Sequence, residues 1–454
     1  MKPFDYRTFV QAKSQMGGQF GFNPRFEHPD AYDFQTHMVN WAVEQGRGAI
    51  FADCGLGKTL MQMTWAQNVM EHTGKPVLII APLMVAVQTA EEAEKFGFDA
   101  YRSVAGELKP GARIVTTNYE RLHQFNHADF AGVVCDESSI MKNFDGSRKQ
   151  EITEFMKQVR FRLLCSATPS PNDYIELGTS SEALGQLGYM DMLSMFFKND
   201  EDSLHPMSMG SNWRFKTHAQ RDFWRWVCSW ARAIRKPSDM GFDDRDFVLP
   251  ELIEEEHVVE SAIRDGDLFA MPTANLQEER EERRLTIRQR CEKAAELLTD
   301  APSAVAWCHL NAEADALVGM IRGAEQISGG DKDERKEELF NAFRHGQLKK
   351  LVTKPKIAAY GLNWQHCNRM TFFADHSFEQ YYQAVRRLWR FGQKMPVKVD
   401  MITTQSLIGV TKNLRRKTEA SEAMFRLMVE QMNDALKINR FKDHNAKQEV
   451  PSWL

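Results

Sequence analysis

The chain has no apolar run long enough to cross a membrane, no Cys-x-x-Cys pair, no fixed-period repeat and no low-complexity tract. Its longest apolar stretch, PVLIIAPLMVAV from Pro76 to Val87, stops short of the ~20 residues a spanning helix needs. The first residues, MKPFDYRTFVQAKSQMGG, lack the apolar core of a secretion signal. Seven cysteines, an odd number without metal-site spacing, speak against a disulfide framework or a zinc ribbon. Cys135 in GVVCDES and Cys165 in RLLCSAT lie in apolar runs and read as reduced core residues of a cytosolic protein. The lack of a repeat excludes a solenoid. There is also no excess of charge of one sign: 58 basic and 62 acidic residues leave a net charge of -4, which gives no global pull toward nucleic acid. The distribution says more. Glu251 to Glu282 holds eleven acids against two basic residues, whereas Gln383 to Thr418 holds nine basic residues and one acid, Asp400. A basic surface is therefore expected late in the chain.

What is present is a globular composition, 43% hydrophobic and 26% charged over 454 residues, enough for two or three domains. Between Ala49 and Leu164 one rhythm repeats: a short apolar run, a turn, then a helical stretch. GAIFAD, PVLIIAP, ARIVTTN, AGVVCDE and FRLLCSAT are continuous apolar runs of the kind buried on both faces of a parallel sheet. From Glu182 to Lys236 the pattern turns helical and rich in Met and Trp. Strand-like runs then return as SAVAWCHL, KKLVTK, RMTFFAD and VKVDMITT, which marks a second α/β unit. In the middle section Phe223, Val227 and Trp230 fall at i, i+4 and i+7 and read as a core stripe, leaving Arg221, Arg225, Arg232 and Arg235 free to touch phosphate. EEREERR, Glu278 to Arg284, reads as a solvated helix face. In the tail, Phe425, Met428, Met432 and Leu436 share a helix face that should pack against the body.

Three local patterns carry chemistry. In FADCGLGKTL a strand leads into Asp53-Cys54-Gly55-Leu56-Gly57-Lys58-Thr59 and then into a helix, as a phosphate-binding loop requires. The strict pattern asks for glycine where Ala52 stands. In GVVCDESS a buried strand ends in Asp136-Glu137, where one carboxylate can hold Mg²⁺ and the other can orient and deprotonate an attacking water. RLLCSATPSPND repeats the arrangement, with Ser166-Ala167-Thr168 at the strand end. In QYYQAVRRLWRFGQK, Arg387 and Arg390 are three apart and share a helix face or turn. Taken singly, each has a plainer reading: a tight turn, a helix cap, a solvated basic helix or a DNA-backbone contact.

In this order the pieces resemble a superfamily-two helicase or translocase, most closely of the Swi/Snf-type branch, from about Tyr32 to Thr404. DFQTHMVNWA is similar to the branch's entry motif, which implies that Gln35 reads the adenine edge and Trp41 packs. ADCGLGKT resembles motif I, in a superfamily that commonly carries alanine at the position of Ala52. The resemblance puts Asp53, Cys54, Gly55, Leu56, Gly57, Lys58 and Thr59 around ATP, with Thr59 and Asp136 on Mg²⁺. IIAPLMVAVQ and IVTTNYERL resemble motifs Ia and Ib, which face the nucleic-acid backbone. VVCDESSIMKN is like motif II, with Ser138-Ser139 where the branch has Ala-His. RLLCSATPSPND is like motif III and implies a coupling role for Ser166, Ala167 and Thr168. TKPKIAAYGLNWQ is similar to motif V, with Pro355 and Ala358-Ala359 as departures, and puts Gly361 and Asn363 toward the nucleotide. QAVRRLWRFGQKMPVKVDMITT is close to motif VI, with Gln383 as a coupling residue and Arg387 and Arg390 completing the ATP site.

The fold expected is α/β: two RecA-like lobes with parallel sheets, at 1–182 and 251–410, a helical insertion at 183–250 and a helical tail at 411–454. Lys58, Asp136, Glu137, Arg387 and Arg390 are the expected catalytic set, with ATP and Mg²⁺ as cofactors. The expected partner is DNA, double-stranded and bound without sequence preference, with no membrane association. The short flanks suggest the cytoplasm of a bacterial or phage-infected cell. A strand-separating helicase on RNA or forked DNA uses the same motifs, and the departures in motifs II and V leave room for an ATP-gated scaffold with slow turnover.

Overall fold

The computed structural model describes residues 20–142, 146–170, 173–199, 213–244, 247–261, 273, 275–358 and 362–441. In the first lobe α1 (Asp33–Gln45) precedes β1 (Arg47–Ala52), α2 (Lys58–Thr73), β2 (Val77–Ala81), α3 (Leu83–Lys95), β3 (Ala100–Arg102) and β4 (Ile114–Asn118). β5 (Gly132–Asp136), β6 (Phe161–Ser166), a small antiparallel pair β7 (Phe197–Asn199) and β8 (Trp213–Phe215), α4 (Ala219–Trp230) and β9 (Ala231–Ile234) follow. The main sheet is wholly parallel, in the order β3-β4-β2-β5-β6-β1-β9. Its central strands are rich in apolar residues because successive residues enter two different cores. Ile50, Ile79, Val134 and Cys165 pack on one face, and Phe51, Leu78, Cys135 and Leu164 on the other.

The middle section is built into this lobe. Phe223, Val227 and Trp230 are fully buried, as their spacing requires, and β9 then pairs in parallel with β1, from Ala49 opposite Ala231. Without β9 the strand that feeds the phosphate loop would be a bare sheet edge. The helical insertion expected at 183–250 therefore supplies a strand and a large part of one core.

The second sheet is also parallel, ordered β10-β15-β14-β11-β13-β12. Its strands are β10 (Leu252–Val259), β11 (Ala304–Trp307), β12 (Ala324–Ile327), β13 (Lys350–Thr353), β14 (Arg369–Phe373) and β15 (Val397–Thr404). Around it lie α5 (Leu276–Leu285), α6 (Phe378–Leu388) and α7 (Ile408–Phe441). β10 carries Glu254, Glu255 and Glu256 and is tolerated because it is an edge strand with cations at hand. Lys398 reaches Glu255 at 2.8 Å, Arg415 reaches Glu256 at 2.6 Å, and the Tyr381 hydroxyl donates to Glu254. The acidic run and the late basic run thus neutralise one another in part, which reduces the basic surface expected from composition. EEREERR is likewise more than a solvated face: Glu282 is buried, and Arg283 pairs with Asp375 at 3.3 Å because α5 lies over the end of β14.

α7 runs for 34 residues, about 50 Å, and belongs to both lobes. Val410 and Leu414 pack into the second core, whereas Met428, Val429 and Met432 pack into the first, with Phe425 against them. The Leu436 side chain lies outside the described residues. All seven cysteines are free and buried. Among the described residues no helix is long and apolar enough to cross a membrane.

Candidate active site

The loop from β1 to α2 is shaped by two glycines in the left-handed region, Gly55 at φ 90° and Gly57 at φ 75°. A Cβ on Gly57 would sit 2.2 Å from Gln35 Nε2, and one on Gly55 2.7 Å from the Phe391 nitrogen, so each glycine is also a point of close approach. Ala52 needs no such freedom, being the last buried residue of β1. Lys58 Nζ donates to the Ala52 carbonyl at 2.9 Å and lies 3.4 Å from that of Asp53. Gln35 accepts the Tyr32 N–H through Oε1 at 3.0 Å and donates from Nε2 to the Leu56 carbonyl at 2.9 Å. Its amide thus ties the start of α1 to the main chain of the loop.

At the end of β5, Glu137 has φ 51° and ψ 53°, and among the described residues it is the one non-glycine with positive φ. That conformation costs about 1–2 kcal/mol. Asp136 Oδ1 accepts from Gln62 Nε2 at 2.7 Å and from the Glu137 N–H at 3.0 Å, and the Tyr119 hydroxyl donates to its carbonyl. Burial first, and the Glu137 carboxylate second, push the Asp136 carboxyl up to about 6 against the pull of Lys58 and Gln62. Glu137 Oε2 is buried with no hydrogen-bond partner. Two buried carboxylates short of positive charge, beside the hydroxyl-bearing Thr59, suit a divalent cation.

The second lobe brings α6 to the same place. Arg387 is buried; its guanidinium donates to the Gln383 carbonyl, to Gln383 Oε1 at 2.7 Å and to the Leu362 carbonyl at 3.1 Å. Arg390 touches the Leu362 carbonyl at 3.4 Å and keeps a buried Nε without a partner. Burial, and then Arg387 beside it, lower its pKa to about 10, so it stays charged at neutral pH and short of an anion. Gln35, Cys54, Gly55, Gly57, Lys58, Thr59, Asp136, Glu137, Asn363, Arg387 and Arg390 all line one cavity of about 590 Å³ between the lobes. Asn363 Nδ2 is tied to Glu92 on α3 at 3.2 Å. Gly361 lies outside the described residues.

The expected set differs from the structure at several points. Asp53 turns away from this cavity and lines a smaller one of about 190 Å³ on the other side of the loop. Leu56 is buried and takes part through its carbonyl. Thr168, whose N–H bonds Ser166 Oγ at 3.0 Å, also lines the smaller cavity with Ala167, its own hydroxyl buried and unpartnered. Residues not read from the sequence are Gln62, one turn into α2 from Lys58, and Tyr382 and Arg386 on α6, both bonded to Asp53. The i, i+4 spacing of Tyr382 and Arg386 was the available signal.

A second cleft between the lobes, of about 640 Å³, is lined by the cations Arg121, Lys142, Arg148, Lys336 and Lys356 and by the carboxylates Glu120, Glu137, Asp333 and Glu379. Lys142 of the first lobe pairs there with Glu379 of the second. Glu137 lines this cleft as well as the nucleotide-sized cavity.

A family model of the DEAD/DEAH box helicase matches residues 32–177. A chromodomain-helicase-DNA-binding protein 3 homolog of Caenorhabditis elegans is 26% identical over 188 residues, covering 32% of this chain and 10% of that protein. A SWI/SNF-related matrix-associated actin-dependent regulator of chromatin subfamily A-like protein 1 of Xenopus tropicalis is 27% identical over 162 residues, 33% of this chain and 17% of that protein. The matches thus span only a minor part of these curated relatives. Among solved structures, a single-substitution variant of S. cerevisiae Dbp5 bound to RNA and ADP BeF3 superposes with a TM-score of 0.54 at 11% identity, over 87% of this chain and 93% of that one. That likeness carries the two-lobed fold alone. Residues 32–177 thus match the DEAD/DEAH box helicase domain, and SWI/SNF-related proteins are among the relatives that the chain resembles.

Proposed function

We propose that the chain is a nucleic-acid-dependent ATPase that moves along duplex DNA. The observation that carries this reading is the place of Glu137, which lines both the nucleotide-sized cavity and the second, cation-bearing cleft between the lobes. A ligand in one can reach the carboxylate that works in the other. In the first cavity, Lys58 and the N–H groups at the start of α2 would hold the outer phosphates of ATP. Thr59 and Asp136 would hold Mg²⁺, which supplies charge neutralisation at the transferring phosphoryl group. Glu137 takes the proton of the attacking water, and Arg387 and Arg390 stabilise the charge on the γ-phosphoryl oxygens.

In the second cleft, Lys142, Arg148 and Lys336 rest on Glu379, Glu120 and Asp333 and would exchange these partners for a phosphate backbone, with little base readout, so binding would be without sequence preference and would weaken with salt. The names of the two relatives, one a helicase-DNA-binding protein and one a chromatin regulator, favour DNA. The free, buried cysteines fit a reducing compartment such as the cytoplasm.

The test is the steady-state ATPase rate of the chain alone and with RNA, single-stranded DNA and duplex DNA, followed by displacement of a third strand from a triplex. Duplex DNA is expected to raise the rate at least tenfold and to support displacement, and Lys58→Ala to remove the activity. Stimulation by RNA or single strands alone would move the reading to a strand-separating helicase. ATP-dependent DNA binding without turnover would make it a scaffold.

A further inference from the structure

Asp53 belongs to the phosphate loop by sequence yet holds no place in the nucleotide-sized cavity; it is taken up by the other lobe. Arg386 Nη2 lies 2.7 Å from Asp53 Oδ2, and the Tyr382 hydroxyl donates to Asp53 Oδ1. The two side chains of the ion pair are only 11% and 13% exposed. We infer that Arg386, with Tyr382, is a positioning residue: by docking on Asp53 it sets the register of α6 against the phosphate loop and so places Arg387 and Arg390 at the nucleotide.

The geometry of α6 carries the inference. Tyr382 and Arg386 form one i, i+4 stripe, and Gln383 and Arg387 form the adjacent one. The first stripe meets Asp53 and the second enters the cavity, so a turn or slide of α6 that breaks the first contact displaces the second. Both halves are prepared before they meet. The Arg386 guanidinium lies over the Tyr382 ring at 5.2 Å and the Trp389 ring at 4.5 Å within its own lobe. Asp53 Oδ1 is held by the Cys54 N–H at 2.6 Å within the loop. Docking therefore orders few new torsions.

Energetics fit a contact made and broken each cycle. A buried ion pair gains Coulomb energy but loses the hydration of both charges, so its net stabilisation is small while the cost of a mismatched partner is large. Such a pair fixes register without locking the cleft shut. Phe391, whose main chain closes on Gly55, follows directly after Arg390 and would move with it.

The inference rests on the ATPase reading, and the experiment separates the two. With duplex DNA, Arg386→Gln should lower kcat roughly ten- to a hundredfold, the scale of a 1 Å misplacement, and change KM for ATP less than about twofold. Asp53→Asn keeps an oxygen for the Cys54 N–H and removes the charge; it should match Arg386→Gln. The double variant should be no worse than the poorer single one, and Arg386→Lys should recover part of the rate. Additive losses, an unchanged kcat, or a rise in KM alone would overturn the assignment. A second readout needs no turnover: dyes on Lys75→Cys and Arg322→Cys, one per lobe, report closure with a non-hydrolysable ATP analogue. Wild type should settle in one closed distance and Arg386→Gln in a broadened set. An inactive wild type sinks the ATPase reading; identical distances in wild type and Arg386→Gln sink this one.

Discussion

The two walls of the nucleotide-sized cavity are built on different principles. The wall from the first lobe is set by main chain: two glycines and one glutamate in the left-handed region, and a loop pinned by Gln35. The wall from the second lobe is set by side chains, with Arg387 held by Gln383 and the Leu362 carbonyl, and Arg390 touching the same carbonyl. A main-chain cradle is present whether or not the lobes meet, whereas cations on α6 reach the cavity only by closure. On the proposed function, binding falls to the first wall and rate to the second.

The comparison can be broken at its strongest point first. Glu137→Gln removes the proposed base while leaving the left-handed turn and the loop, so turnover should fall at least ~10³-fold with ATP still bound, read by single-turnover kinetics and a fluorescent nucleotide. Arg387→Ala should cut kcat by ~10³-fold, at the lower end of arginine contributions to phosphoryl transfer, with little change in nucleotide affinity. Equal losses of affinity and rate would place Arg387 on the binding wall and erase the distinction.

The smallest effect concerns stability. In the folded chain the Asp136 carboxyl is raised to about 6 from 3.8, so its charge opposes folding. That cost is absent below pH ~4, grows as pH rises through about 6, and is full above it, at most about 3 kcal/mol. In a chelator, Asp136→Asn should therefore unfold later than wild type in urea at pH 7.5 and together with it at pH 4, although on the proposed function it should be inactive. Equal stability at both values would show that the first wall holds its carboxylate without strain.

Much of this was legible in the sequence, and the rest has physical reasons for being hidden. Strands buried on both faces announce themselves as apolar runs, as PVLIIAP and AGVVCDE do. β3 is three residues long, β12 reads AEQI, and β10 reads LIEEEHVV; each lies at a sheet edge, where burial demands less. β9 was hidden because its apolar residues follow a tryptophan-rich helix and its partner is β1, far back in the chain. The loop and the carboxylate pair are local patterns and could be read as such. The docking of Arg386 on Asp53 joins residues 333 apart, and the sequence shows only a third arginine in a basic stretch. The same blindness made the acidic and basic runs look like two surfaces when they partly cover each other.

The path of α7 also bears on how the chain comes into being. The Ala233 N–H contacts the sulfur of Met432, 199 residues later, and Met428 and Val429 lie in the same core. During synthesis the first lobe therefore emerges with an apolar trough beside β9, which stays bare for ~10–40 s at ordinary elongation rates. The second lobe must be made, and its own core must anchor the start of α7, before that trough is filled. The core of the first lobe is thus completed only by a helix that follows the second lobe in the chain.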